Sequence, residues 1–413
     1  MHILELPSFF TPYGGEFCLD QAKALLAQGH EVRILSNVQL SVRRGLAQFL
    51  RLPYGRRWTE ADGIAVYQHY MRGIPLVVRP NVERWVACVR SMFADYVALH
   101  GKPDILHAHC AKWAGYAAML IAHESGLPYV VTEHLPLMAL EDEFGPAPSG
   151  AWQIGLLRQT YEQASMVVPV AEELVAQTAC YYGTDYRWQP LSNTIDTRFF
   201  CYRQRTSLAG RAPVFGCVAD FIYRKGYDVL LPAFAALLGQ CPGARLLIAG
   251  DGTDSAAFHA LVAKYGLEEN VEVRGRVDRY GVRALLYASD AFVLPSRSEV
   301  QPLVVLEAMS TGIPVVATES VPSNQRIEGA VRIVPIGDAD ALCQAMAEVA
   351  SLLHNTTTDH GDSVAGQRGS ASGSDGCLLP GNVISARADA LASPEAVGKR
   401  LSDLFAQIKQ QLP

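Results

Sequence analysis

No two cysteines of this chain form a C-x-x-C pair, and the nine present are scattered from Cys18 to Cys377. That leaves no legible disulfide framework and no zinc ribbon, and it points to a reducing compartment. Long apolar runs are missing too. The longest stretches, such as Val229–Leu238, fall far short of the roughly 20 residues a membrane span needs. The opening residues Met1-His2-Ile3-Leu4-Glu5-Leu6 carry no basic segment ahead of an apolar core, so no signal peptide is read there. Nor does one sign of charge dominate: 35 Lys and Arg stand against 41 Asp and Glu, a formal −6 that gives no reason to expect nucleic acid. These absences describe a cytoplasmic protein, at most peripheral to the cytoplasmic face of an inner membrane.

What is present is a globular composition, 49% hydrophobic and 18% charged over 413 residues, a length comfortable for two domains. The first half alternates β-rich runs with helical patterns. Ile3–Leu6, Val32–Ser36, Ile105–Ala108, Tyr129–Thr132 and Met166–Val170 read as strands, with helices at Gly15–Ala27, Ala114–Glu124 and Ile154–Ala164. A polar linker at 201–213 precedes a second series, which starts with strand Val214–Val218 and helix Tyr227–Leu238 and ends with helix Ala339–Leu352. Alternation of this kind predicts an α/β fold with two Rossmann-like, doubly wound domains, at 1–200 and 214–385. Ligands of such sheets bind at the carboxyl ends of the strands, here expected in a cleft between the domains. Residues 354–382, rich in Ser, Gly, Thr and Asp, read as a flexible insertion. A last helical pattern, Pro394–Gln410, closes the final segment 386–413.

The most informative stretch runs from Leu294 to Met309. It leaves a strand, crosses a loop and enters a helix near Leu303, with Pro302 at a position where proline is tolerated. The free N–H groups of that helix end suit a diphosphate. Glu299 in the loop and Glu307 in the helix offer acceptor-only groups for sugar and ribose hydroxyls. With Gly312-Ile313-Pro314-Val315-Val316-Ala317-Thr318 behind it, the segment resembles the donor-site signature of family 4 glycosyltransferases of the GT-B fold. Two departures, Val300-Gln301 for an aromatic–glycine pair and Glu319-Ser320-Val321-Pro322 after Ala-Thr, leave the donor sugar open.

The resemblance implies the rest of the site. Lys225, before Gly226, is expected on the donor phosphates, with Arg224 standing in for an arginine whose usual place is taken by Asp220. Gly250 of the Gly250-Asp251-Gly252 turn, with Gly275, Arg276 and Val277, is expected on the nucleotide side, and Gln301, Pro302 and Leu303 at the diphosphate. Gly14 and Gly15 resemble the glycine loop that faces the transferred sugar, and His134 the active-site histidine that contacts the donor hexose. Glu299 is assigned to positioning rather than attack. Asn193 matches a domain-junction loop and, with His109, is assigned to the acceptor side. Strand alternation is expected to send His107 and His109 to opposite faces, which leaves His109 the better candidate. Asp338-Ala339-Asp340 reads as a helix cap, not a metal site.

The implied enzyme is a retaining hexosyltransferase that needs no metal or other cofactor. It would move sugar from a nucleotide-diphosphate sugar, of UDP-hexose or GDP-mannose type, to a glycan or lipid-linked acceptor in cell-surface polysaccharide or lipopolysaccharide assembly. The last helix would cross back onto the N-terminal domain. Residues 41–58 hold Arg43, Arg44, Arg51, Arg56 and Arg57 among Leu46, Phe49, Leu50, Leu52 and Trp58, which suits peripheral contact with an anionic membrane. A sugar-nucleotide epimerase of the same fold and a catalytically silent partner subunit are the alternatives.

Overall fold

The computed structural model describes residues 1–42, 46–145, 151–205, 208, 211–356 and 377–411. The chain divides into two compact units, Met1–Thr194 with Pro394–Pro413, and Ile195–Ser393.

In the first unit the strands are β1 (His2–Pro7), β2 (Glu31–Leu40), β3 (Arg56–Ala61), β4 (Ile64–Arg72), β5 (Ile105–His109), β6 (Tyr129–Glu133) and β7 (Met166–Pro169). They form one sheet in the order β3-β4-β2-β1-β5-β6-β7, parallel throughout except for the antiparallel β3–β4 pair. Both faces are buried, as the apolar strands require. Ile3 packs into one hydrophobic core, whereas Leu4 and Leu6 pack into another that includes Trp85, Val89 and Tyr96 of helix Arg79–His100. The Ile3 core also takes in Val397, Leu401, Leu404, Phe405 and Ile408 of helix Pro394–Gln410, an apolar stripe at helical spacing. That helix therefore belongs to the first unit.

In the second unit β8 (Val214–Val218), β9 (Arg245–Ala249), β10 (Val271–Val273), β11 (Ala291–Leu294), β12 (Val315–Thr318) and β13 (Val331–Val334) form an all-parallel sheet in the order β10-β9-β8-β11-β12-β13. Each sheet reverses its winding once, between β1 and β5 in the first unit and between β8 and β11 in the second. Loops leaving the carboxyl ends of such a strand pair splay apart and open a crevice.

Three expectations change. The polar stretch 201–213 is no linker: the first unit ends at Thr194, and Arg211 pairs with Asp290 at 2.6 Å inside the second unit. Within 354–382, residues 357–376 lie outside the described residues, but Leu378 is buried in the second unit's core and the Leu379 N–H donates to Gly329 O at 2.8 Å. The segment 386–413 is two helices rather than one, since Gly381–Ala392 belongs to the second unit and only Pro394–Gln410 to the first. Among the described residues no helix is long and apolar enough to cross a membrane.

Candidate functional site

The expected site residues fall into two groups, one in each unit, and most lie in the segments that follow the carboxyl ends of the strands.

In the second unit the loop after β8 carries Arg224 and Lys225, and the loop after β11 carries Glu299. Lys225 Nζ lies 2.5 Å from Glu299 Oε1, while Arg224 reaches Glu299 Oε2 at 3.4 Å and donates to Ser298 O at 3.0 Å. The Glu299 side chain is only 7% exposed. Two cations against one carboxylate leave a net positive charge. Beside it helix Leu303–Ser310 begins after Pro302 with no side-chain cap, the Val305 N–H turning back to Pro302 O at 3.2 Å, and its positive dipole end suits an anion.

The glycines here allow close backbone approach. Gly226 has φ +71, and a Cβ on it would fall 2.1 Å from Pro295 O, which fixes how tightly the two site loops pass each other. At the end of β9, the Gly250 N–H donates to Gly275 O at 2.8 Å, so these two turns lie side by side with Arg276 exposed next to them. Asp220, standing where an arginine is usual, accepts from the Asp251 N–H at 3.0 Å and ties the loops after β8 and β9 together. Gln301 is buried, and Pro302 O accepts from Gln325 Nε2 at 3.3 Å. Glu307 is half-buried, and burial raises its carboxyl to about 7, only partly offset by Arg279. Asp338 accepts from the Ala341 N–H at 2.9 Å, which makes it a helix cap.

In the first unit Gly14 and Gly15 end the loop after β1, both in the left-handed region at φ +101 and +107. A Cβ on Gly15 would stand 2.7 Å from Phe10 Cα, so the turn into helix Glu16–Ala27 requires glycine. That loop, with the segment 73–78, Trp85, Lys112 and Trp113, lines a groove of about 590 Å³.

His134 follows β6 and is set by Glu133. The buried Glu133 carboxylate accepts from the N–H groups of Ala111, His134 and Leu135 and from the Tyr161 hydroxyl, at 2.8 to 3.1 Å. The His134 ring lies between Phe17 (4.9 Å) and His109 (5.6 Å), nearly parallel to both. Burial holds its pKa well below the ordinary imidazole value, reinforced by His109 and His107 and opposed by a hydrogen bond from the Asn193 side. Asn193 itself is buried.

The expectation that His107 and His109 face opposite ways is wrong. Both reach Glu5 Oε2, His107 Nδ1 at 2.9 Å and His109 Nε2 at 2.7 Å. Residues two apart on a strand share a face; it is neighbours that alternate. Glu5 was not among the expected site residues. The signal for it was a lone carboxylate inside the apolar run Ile3–Leu6, at a position a buried parallel strand would otherwise fill with an aliphatic side chain.

Comparison with known proteins places the two units in a family. Residues 14–199 match the family described as Glycosyltransferase Family 4, and residues 212–351 the family described as Glycosyl transferases group 1. The chain is 26% identical over 326 residues to TuaC of Bacillus subtilis, named for teichuronic acid biosynthesis, across 76% of this chain and 78% of that one. It is 32% identical over 149 residues to LpsE of Rhizobium meliloti, a lipopolysaccharide core biosynthesis glycosyltransferase, across 36% of this chain and 42% of that one. Among solved structures, Anabaena HepE in complex with UDP shares the fold, with a TM-score of 0.65 at 17% identity over 98% of this chain and 100% of that one.

Proposed function

The chain belongs to the family 4, group 1 glycosyltransferases, and from that premise we propose that it moves a sugar from a nucleotide-diphosphate sugar, of UDP-hexose or GDP-mannose type, to a glycan or lipid-linked acceptor with retention of configuration. The observation that carries this reading is the Arg224–Lys225–Glu299 cluster beside the uncapped helix Leu303–Ser310. Its net positive charge suits a diphosphate, both bound and as charge develops on the departing group. The Leu303 end of the helix, with Gln301 and Pro302 leading into it, would hold the phosphates. Gly250, Gly275, Arg276 and Val277 would wall the nucleotide, and Glu299 would accept from sugar hydroxyls. His134 would contact the transferred hexose, with Gly14 and Gly15 close to it and His109 and Asn193 on the acceptor side. The acceptor hydroxyl attacks the face the diphosphate leaves, and the leaving phosphate takes its proton.

TuaC and LpsE, named for polymer and lipopolysaccharide assembly, support a cell-surface glycan or lipid-linked acceptor, and the HepE complexes with UDP and UDP-glucose support a nucleotide-sugar donor. For contact with an anionic membrane, Arg43 and Arg44 lie outside the described residues, while Arg56 is paired with Asp95. Leu46 and Leu50, one turn apart on helix Leu46–Arg51, stand exposed, and Leu76 nearby in sequence to β4 is 85% exposed. Phe49 and Leu52 pack inward, so the apolar residues of 41–58 divide between an outer and an inner face.

Product analysis with a panel of nucleotide sugars tests the activity. Release of nucleoside diphosphate with a glycosylated acceptor is expected, and it should survive excess EDTA because Arg224, Lys225 and the helix end neutralise the diphosphate. An altered free sugar would indicate an epimerase, and no turnover a silent subunit. Loss of activity on chelation with rescue by manganese or magnesium would refute metal independence.

Glu307 gives a second test. Its raised pKa means that the folded chain holds this proton more tightly than the unfolded chain, so protonation stabilises the fold at low pH and that contribution is lost as pH rises towards about 7. A ribose hydroxyl needs the carboxylate as acceptor, so nucleotide binding should release a proton and tighten as pH rises through about 7. Calorimetry in buffers of different ionisation enthalpy should detect that release in the wild type and not in Glu307→Gln. Equal, pH-independent affinities in both would remove Glu307 from the site.

A further inference from the structure

Five side chains in the first unit form a continuous hydrogen-bonded chain. Thr132 Oγ1 lies 2.7 Å from His107 Nε2, His107 Nδ1 2.9 Å from Glu5 Oε2, Glu5 Oε2 2.7 Å from His109 Nε2, and His109 Nδ1 3.3 Å from His134 Nε2. Glu5 and His107 are fully buried, and Phe405 of the last helix sets its edge on the His107 ring at 5.2 Å. Burial alone would raise the Glu5 carboxyl, but His107 and then His109 hold it down at about 2, so it is ionised.

An ionised carboxylate only accepts. It therefore fixes the proton of His107 on Nδ1 and that of His109 on Nε2, the two nitrogens that face it. His107 Nε2 faces the Thr132 hydroxyl on its other side. Burial lowers the pKa of His109 and keeps it neutral, so its Nδ1 is bare and can only accept. Among the described residues that nitrogen meets His134 Nε2, which then carries its own proton and donates. From the Glu5–His109 side, then, the His134 proton is set on Nε2 and the lone pair on Nδ1, while the Asn193 side chain is a further hydrogen-bond partner of the ring.

We propose that Glu5 is a positioning residue for sugar transfer, whose buried carboxylate locks the tautomers of His109 and His134 so that His134 meets its ligand as a neutral ring with Nδ1 as its only acceptor nitrogen. The proposal rests on the reading that His134 contacts the donor sugar. Such a ring accepts a hydroxyl proton at Nδ1 and cannot supply one there, and it places no positive charge beside an oxocarbenium-like centre. Glu5, His107 and His109 also have the residue types of a metal site. Their donor separations of 2.7 and 2.9 Å are hydrogen-bond lengths, however, whereas tetrahedral zinc with bonds of about 2.0–2.1 Å holds its ligands roughly 3.3 Å apart.

The test is nitrogen-15 NMR of the histidine rings in the full-length protein without substrate, with His109→Asn and His134→Asn used to assign the signals. In the wild type both His109 and His134 are expected as Nε2–H tautomers, with His134 neutral from mildly acidic to mildly basic pH. Glu5→Met removes every acceptor from that position and should release both rings into a tautomer mixture, while Glu5→Gln keeps one acceptor oxygen and should lie between. In transfer assays Glu5→Met should lower kcat by at least about ten-fold, as loss of a tautomer-fixing carboxylate does where the imidazole takes part. KM for the nucleotide sugar should stay within about two-fold, since the diphosphate and nucleotide are assigned to the second unit, and Glu5→Asp should restore part of kcat. An Nδ1–H tautomer of His134 in the wild type, ring signals unchanged by loss of Glu5, or stoichiometric zinc in the purified protein would each overturn the lock. A switched tautomer with unchanged kcat would overturn its service to transfer while the lock stands. Failure of the transferase reading itself would show in product analysis, not in the ring spectra.

Discussion

Replacing Lys225 by alanine is expected to weaken nucleotide-sugar binding by about 10- to 150-fold, the loss of a charge-assisted contact worth on the order of 1.5–3 kcal/mol. The variant does two kinds of damage. It removes the cation that the proposed donor site assigns to the diphosphate, and it strips Glu299 of its 2.5 Å partner, leaving a carboxylate that is only 7% exposed with Arg224 at 3.4 Å. A buried carboxylate that loses its cation costs more than the pair itself contributed. Glu299 should then turn towards Arg224 and away from the sugar, so kcat should fall together with affinity. Arg224→Ala should do less, because that side chain is 34% exposed and one of its contacts is to a backbone carbonyl. Titration calorimetry with the nucleoside diphosphate measures the effect directly. Unchanged affinity in both Lys225→Ala and Glu307→Ala would sink the donor-site map.

The placement of the second-unit group was legible because those residues follow chain order. Glu299, Pro302 and Glu307 lie within one loop and one helix, and Lys225 follows the strand that pairs with that loop's strand, so a motif and a parallel-sheet pattern suffice to place them. The helix starting at Leu303 and the cap at Asp338 were readable for the same local reason. The first-unit network was not. Glu5, His107 and Thr132 come from three different strands and meet only because β1, β5 and β6 are neighbours in register, Glu5 opposite His107 and His109 opposite Thr132. A single sequence carries no register. Even the local part misled, since applying alternation to residues two apart hid the one feature that would have pointed to a shared partner.

Boundaries failed for a related reason. The junction Ser192-Asn193-Thr194 is polar yet buried, whereas the stretch 201–213 looks like a linker but is anchored, with Arg205 donating to Tyr287 O at 2.6 Å. Polarity marks solvent only where no partner is at hand. Helix Arg79–His100 and the β3–β4 hairpin went unread because Arg79, Glu83, Arg84 and Arg90 break up the apolar spacing on the exposed side, although Trp85, Val89, Met92 and Tyr96 still mark the inner face.

Truncation after Ser393 is expected to unfold the first unit. The lost helix Pro394–Gln410 buries Val397, Leu401, Leu404, Phe405 and Ile408 almost completely. At about 1.5–3 kcal/mol for each such side chain, the loss is on the order of 10 kcal/mol, as large as the whole stability of a typical domain. The packing is close: a Cβ on Gly398 would fall 2.5 Å from Ala24 O, so helices Glu16–Ala27 and Pro394–Gln410 approach backbone to backbone. Polar ties fix the register, with His30 Nε2 2.7 Å from Ser402 Oγ and Lys409 Nζ 2.6 Å from Asp104 Oδ1. Removing the helix would also lift Phe405 off His107 and wet the Glu5 network. The second unit, Ile195–Ser393, keeps its own sheet and core, so nucleotide binding should survive the truncation while transfer is lost. Leu401→Ala is the graded version, expected to cost about 2–5 kcal/mol and to lower the first unit's unfolding temperature without changing nucleotide affinity. Differential scanning calorimetry paired with nucleotide titration reads both quantities on one sample. A truncated chain that unfolds at the wild-type temperature and still transfers sugar would show that this helix is not part of the first unit's core.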